Sequence, residues 1–449
     1  MSKELIYSVD SKPPFITSLF LGFQHVLTLW GSTTLVPLLI GNAMNMSTVQ
    51  LTSLIGCVYL GMGICTLLQT SLLGSRLPLI QSSSFSFLVP FMAIISLYIT
   101  SGPNIIMQYI GGGLIVGGIL QAILGYSGII SSIKKIITPV VIAPTIMAIG
   151  FSLANTAINS ASTYWPISIC TICLILFFSL VIKNKNLNIF SILLSICIMY
   201  LVCLFLSVTG LISNIHPAFI DISKISNAYW FKDINSVIFP WGLPKFDITI
   251  LIILLSGFIA GIIESIGDYH SISYAANLDN PDKHTISKGI GSEGLGMIIS
   301  GIFGSMATTT YTENIGLVNL TKIASRYVVQ IGAVLLILLS FIGKFSAIVA
   351  SMPTCILGAC YIVLFALIGS SGISIFSNTE NSQRNLLIVG IAFLLALGLP
   401  TWIEANKEIF VFSNVILNTI GNIIYSLFKS SMAVAAISSI TMDSIIPKE

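Results

Sequence analysis

The sequence predicts an all-α protein that crosses a membrane many times, and three observations carry that reading. Only 8% of its 449 residues are charged, against about a quarter in soluble domains. Mean hydropathy is +0.99. Apolar runs recur from Phe15 almost to the C-terminus, and each approaches the ~20 residues that cross a hydrocarbon core as a helix. A membrane β-barrel is excluded, because the runs are continuous and lack the alternation of a barrel strand.

Fourteen spans are expected, at 15–40, 48–72, 79–99, 108–129, 138–158, 163–182, 187–211, 247–271, 289–304, 306–323, 327–350, 354–372, 384–400 and 427–445. The stretch 402–424 is amphipathic and reads as interfacial or re-entrant. The leading segment "MSKELIYSVDSKPP" is short and polar, and no small-residue cleavage site follows a short apolar core. No cleaved signal peptide is therefore expected, and the first span anchors the chain.

Cations test this ladder. With the N-terminus in the cytoplasm, the inner side receives Lys3, Lys12, Arg76, Lys134, Lys135, Lys183, Lys185, Lys283, Lys288, Lys322, Arg326, Arg384 and Lys448. The outer side and its margins receive Lys224, Lys232, Lys245, Lys344, Lys407 and Lys429. This is the positive-inside bias, and an even number of spans leaves both termini cytoplasmic.

The third and tenth spans are rich in hydroxyls. "SSSFSF" (Ser82–Phe87) and "TTTYTE" (Thr308–Glu313) match as three hydroxyl residues, an aromatic, another hydroxyl and a final residue. They occupy the third place in each group of seven spans, and an odd number separates the groups. The halves thus form an inverted repeat whose discontinuous segments meet near the midplane. β-Branched Thr and aromatic Tyr favour extended backbone, which a membrane tolerates only inside protein or beside a cavity.

Acids within spans are the sharpest chemical signal. "ESIGDY" places Glu264 and Asp268 at i and i+4 on one helix face, and Glu313 closes the Thr-rich string. Each must be protonated, paired or wetted, which suits proton coupling or recognition of a ligand's N–H groups. Gln24 and His25, in "FLGFQHVLTLWG", could tie the first span to the polar centre.

Other chemistry finds no support. The eight cysteines all lie in apolar runs, and "CTIC" (Cys170–Cys173) reads as small buried residues. "GIGSEG" (Gly289–Gly294) fits GxGxxG but opens a membrane span with no preceding strand. No metal-spaced His/Cys set, P-loop or nucleophile motif appears, so no cofactor, metal or enzymatic role is expected. No basic tract points to nucleic acid. Lys322 and Arg326 read as cytoplasmic anchors, and "NMS" (Asn45–Ser47) fits a glycosylation sequon.

At these residues the chain resembles the nucleobase–ascorbate transporter family, the nucleobase:cation symporters of xanthine/uracil permease type. "ENIGLVNLTK" (Glu313–Lys322) is similar to the family signature at every fixed position. "QH" in the first span, "GSRLPLIQSSSFSFLVP" in the third and "ESIGDY" in the eighth follow in order. The resemblance covers nearly the whole chain.

The resemblance implies a core domain (15–129 and 247–350) and a gate domain (138–211 and 354–445). It also implies short antiparallel strands in spans three and ten, elevator-like movement, and a homodimer joined through the gates. It makes Glu264 and Glu313 the carboxylates that receive a nucleobase's ring N–H groups. Phe85 and Thr312 would offer backbone N–H groups, and Phe85 and Tyr311 aromatic surface. Asp268, His25, Gln24, Asn314 and Ser84 would support the site or the coupling.

"ESIGDY", "SKGIGSEGLG" and "IGKFSAIVASMP" look closer to the animal branch, whose sodium-coupled ascorbate carriers have proline at the position of Glu313. A carboxylate there would repel the ascorbate anion but accept from a base's N–H groups. The expectation is a nucleobase, uracil or a related pyrimidine first and a purine such as xanthine second, carried with H⁺ or Na⁺ across a plasma membrane. Ascorbate or another organic anion is the alternative. A channel or anion exchanger of similar fold would need a cationic or hydroxyl-lined site.

Overall fold

A computed structural model describes residues 5–129, 138–183, 190–233, 237–377, 379–380, 382–410, 421, 424–425 and 428–447. The side chains of residues 30–32, 313, 319 and 320 are not among those described. Lys3, Lys134, Lys135, Lys185, Lys448 and much of the stretch 402–424 also lie outside the described residues.

The first half runs through α1 (Phe15–Ser32), α2 (Leu35–Ala43), α3 (Thr48–Thr70), strand β1 (Gln81–Ser83), a 3-10 turn (Phe85–Phe87) and α4 (Leu88–Tyr98). It continues with α5 (Pro103–Tyr126), α6 (Pro139–Ser152), α7 (Ala154–Ala161), α8 (Trp165–Leu176), α9 (Ser191–Val208) and the short α10 (Ile222–Ser226). The second half holds α11 (Ile248–Ala275), α12 (Lys283–Ile302), β2 (Thr308–Thr310), α13 (Thr312–Thr321), α14 (Arg326–Ser340) and α15 (Gly343–Ala350). The last helices are α16 (Thr354–Ser377), α17 (Gln383–Ala405) and α18 (Ser431–Ile445).

Seven described helices or joined helix pairs are long and apolar enough to cross a membrane, and five further apolar helices are shorter. Phe20, Leu180, Phe205 and Leu394 are exposed on outer helix faces, an arrangement that lipid satisfies. The same solvent explains a correction. Cys170 and Cys173, expected to be buried, are exposed on α8; a thiol facing lipid needs no burial in protein. Lys232 departs in the other direction. Expected in an outer loop, it is buried with Nζ 3.0 Å from the Cys57 sulfur. Its backbone N–H donates to Phe341 and pins that loop onto the bundle.

The expected first span is two helices, interrupted at Thr33–Thr34. The Thr33 carbonyl accepts from the Ser83 hydroxyl at 2.6 Å, which joins this break to β1. The two hydroxyl-rich strings meet in one antiparallel ladder, with Gln81 opposite Thr310, Ser82 opposite Thr309 and Ser83 opposite Thr308. Ser84 N–H to Ala307 and Tyr311 N–H to Ile80 extend the ladder at its two ends, at 2.9 and 3.0 Å. Every strand residue is buried, so these bonds satisfy backbone groups that lipid could not.

Small residues let the helices around this ladder approach closely. α5 packs on α12, where a Cβ added at Gly118 would lie 2.7 Å from the Gly294 carbonyl oxygen. On α11, Gly257 and Gly261 face the Phe87 ring and the Thr309 methyl. Elsewhere, α16 and α18 pack on α6, and α17 packs on α18. A buried ion pair, Arg384–Asp443 at 2.9 Å, joins α17 to α18, and Thr138 donates to the same carboxylate.

Candidate functional site

The site is built where both hydroxyl strings stop being strands and start helices. After β1 the chain enters the 3-10 turn and α4; after β2 it enters α13. Among the described residues, neither start carries a side-chain cap. The first N–H groups of a helix have no partner within it, so two sets of donors and two positive dipole ends converge on this centre. Phe85 opens one turn, and Thr312 opens α13.

The acid-bearing face of α11 lies against both starts. Ser86 donates to Glu264 at 2.7 Å, and Thr312 donates to Asp268 at 3.0 Å. Ser86 and Thr312 are the matching hydroxyls of the two strings, and their acceptors lie four residues apart on one helix. Asp268 is buried and also receives the Thr310 hydroxyl at 2.7 Å. Glu264 is only partly buried and Thr312 is exposed. Asp268 is thus tied to the strand, whereas Glu264 is held by Ser86 and is only partly buried.

Phe85 is buried edge-on to Phe365 of α16, with ring centroids 6.1 Å apart, and Phe365 stacks on Tyr361. Tyr311 is buried and its hydroxyl donates to the Thr28 carbonyl of α1. Ser84 is buried, and among the described residues its hydroxyl has no partner. Glu313 lies in the first turn of α13, but its side chain falls outside those described.

His25 and Asn314 join each other. His25 Nδ1 lies 2.5 Å from Asn314 Oδ1, with both residues buried. Asn314 thereby fastens α13 to α1. Gln24 is partly buried beside this pair.

One acid escaped sequence reasoning. Glu293 of α12 is buried and accepts from Tyr269 at 2.6 Å and Ser265 at 2.9 Å. Gln69 donates to the Tyr269 hydroxyl at 3.0 Å, and Thr310 lies 3.1 Å from Ser265. A hydroxyl-linked chain therefore runs from Asp268 through Thr310 and Ser265 to Glu293, and on through Tyr269 to Gln69. Glu293 lies in the expected span 289–304, and the criterion that singled out Glu264 would have found it.

Paired broken helices, inward acids and a lipid-facing apolar exterior define a polytopic membrane protein of transporter architecture. The model of the Permease family, of the xanthine and uracil type, matches residues 17–405. Mouse solute carrier family 23 member 2 is 33% identical, over 99% of this chain and 75% of its own length. Nucleobase-ascorbate transporter 11 of Arabidopsis thaliana is 34% identical, over 90% of this chain and 62% of its own length. The transmembrane domain of the cyanobacterial bicarbonate transporter BicA shares the fold, with a TM-score of 0.58 at 15% identity over 91% of this chain and 96% of that one. The chain belongs to the nucleobase–ascorbate transporter family and is an integral membrane transport protein.

Proposed function

We propose that the chain is a secondary active transporter that carries a neutral nucleobase, uracil or a related pyrimidine, in symport with H⁺ or Na⁺. The observation that carries this reading is Glu264: a partly buried acid, oriented by Ser86, beside two helix starts with no side-chain cap among the described residues. A planar base has what this surface complements. Its ring N–H groups donate to a carboxylate, its carbonyl oxygens accept from helix N–H groups, and its faces lie against aromatic rings. Glu264 and Glu313 receive the N–H groups, Phe85 and Thr312 donate backbone N–H groups, and Phe85 and Tyr311 supply apolar surface. Asp268, His25, Asn314, Gln24 and Ser84 hold this arrangement or couple it to the cation.

Fourteen crossings in two inverted sets of seven form a core, with α1–α5 and α11–α15, and a gate, with α6–α9 and α16–α18. The packing of α5 on α12 and of α3 on α14 supports the first group, and that of α6 with α16 and α18 supports the second. The core carries the base past the gate as an elevator, and two gates associate in a plasma-membrane homodimer with cytoplasmic termini.

Ascorbate is the second reading, favoured by the relatives named for both substrates. Uptake of radiolabelled uracil decides between them when measured with xanthine or ascorbate as competitor, with sodium removed, and with the proton gradient collapsed. The proposal expects saturable uracil uptake that depends on one of the two cations. Saturable ascorbate uptake untouched by uracil would overturn it.

A further inference from the structure

A polar cavity of about 350 Å³ is lined by none of the strand residues, and the proposed function makes no use of it. Its walls are the N-terminal strap, the end of α3 and the first turn of α14. Asp10 and Lys12 come from the strap, Ser71 and Arg76 from the segment after α3, and Arg326 and Gln330 from α14. The strap is built into the fold. Tyr7 bridges to Ile323, the Ala324 N–H donates to Tyr7, the Arg326 N–H donates to Val9, and the Ser325 hydroxyl donates to Ser11.

Three cations and one acid face this space. Arg326 pairs with Asp10, and a guanidinium keeps further donors after one such bond. Lys12 and Arg76 have no acidic partner among the described residues. Arg76 lines the cavity from a positive φ of 60°, a conformation uncommon for a side-chain-bearing residue. The start of α14 carries no acid in its first turn and adds a partial positive charge. Lys288 borders the same place, with Nζ 3.2 Å from the Leu72 carbonyl oxygen. The net excess of positive charge, the polar walls and the volume fit a phosphate group together with part of the alcohol it esterifies.

We propose that this cavity is a binding site for a phosphate ester, on the face that the cation bias assigns to the cytoplasm. The phosphate bridges Lys12 of the strap to Arg76 and Arg326. The strap also holds residues 322–326, which follow α13, so the bound anion braces the helix on which Thr312 and Glu313 lie. The ester is either a phospholipid headgroup of the inner leaflet or a soluble phosphate; both offer the same anion.

The test uses the purified full-length chain and two probes. Glycerol 3-phosphate is titrated against detergent-solubilised protein, and phosphatidylinositol 4-phosphate is supplied in phosphatidylcholine nanodiscs. Binding and the shift in unfolding temperature are compared between wild type and the Lys12→Gln/Arg76→Gln variant. Binding of glycerol 3-phosphate, weakened about tenfold or more in the variant, supports the proposal with a soluble source. Binding of the lipid alone, weakened equally, supports it with a membrane source. Failure of both probes, or equal binding by wild type and variant, overturns it. Should the variant not fold, wild-type protein decides: sulfate must displace the bound probe where chloride at equal ionic strength does not, and absence of that difference overturns the proposal.

Discussion

The Tyr269 hydroxyl donates to the Glu293 carboxylate at 2.6 Å, joining α11 to α12 in the buried interior. Ser265 donates to the same group. Replacing Glu293 with leucine would leave both hydroxyls without their acceptor, at about 1–3 kcal/mol for each unsatisfied group. Glu293→Gln keeps an acceptor and should cost less. Thermal unfolding in detergent is expected to rank the variants wild type, Gln, then Leu. Equal midpoints for all three would show that Glu293 does not hold these helices together.

Glu264 and Ser86 separate contact from positioning. Glu264→Gln removes one carboxyl oxygen acceptor from the proposed site and should lower kcat/KM for uracil uptake by more than about tenfold. Ser86→Ala leaves the carboxylate in place but free to rotate, and should raise KM about threefold with kcat nearly kept. Glu313→Gln should abolish uracil uptake or switch selectivity, with surface expression intact. Wild-type uptake by the Glu313 variant would remove that residue from the ligand set.

The glycine contacts make a steric prediction. A side chain at Gly118 collides with the backbone of α12, whereas among the described residues nothing lies within 4 Å of a Cβ at Gly390 in α17. Gly118→Leu should therefore prevent folding or greatly lower the unfolding temperature. Gly390→Ala should be neutral or stabilise by up to about 1 kcal/mol, because alanine costs less to order in a helix. Fluorescence-detected size exclusion after a heat step reads both.

The Asp282 cap, in the loop before α12, links stability to acid. Its carboxylate accepts from the Thr285 N–H at 2.7 Å. Hydrogen bonding from Thr285 holds its pKa below the ordinary carboxylate value. A depressed folded-state pKa stabilises the fold above the ordinary value of about 3.9, and the contribution is lost as pH falls through the folded value. Asp282→Ala should cost about 1 kcal/mol near neutrality and narrow the gap to wild type in acid. A gap that stays constant on acidification would contradict this.

Much of the architecture was legible because polar residues stand out in so apolar a chain. "SSSFSF" and "TTTYTE" could be matched by type alone, and their meeting required only that two broken segments satisfy each other's backbone. Glu264 and Asp268 announced themselves as acids in a span. What escaped depends on packing between distant segments. Nothing local says that Asn314 would turn to His25, or that a loop lysine at 232 would fold back onto Cys57. Cys170 and Cys173 were misplaced because apolarity alone does not say whether a helix face meets protein or lipid. Glu293 sat in plain view within "GIGSEG", where the glycine spacing drew notice from the acid.

The exchanged bonds that end the ladder, Ser84 to Ala307 and Tyr311 to Ile80, also bear on how the protein is made. Ser82 leaves the ribosome about half a chain length before Thr309, its cross-strand partner. Through that interval the first string has a bare edge that hydrocarbon cannot satisfy, so it must wait in water, in the insertion machinery or against provisional neighbours. The proposed transport centre is then among the last parts to mature, and a chain truncated before Thr308 would be a substrate for quality control rather than half a carrier.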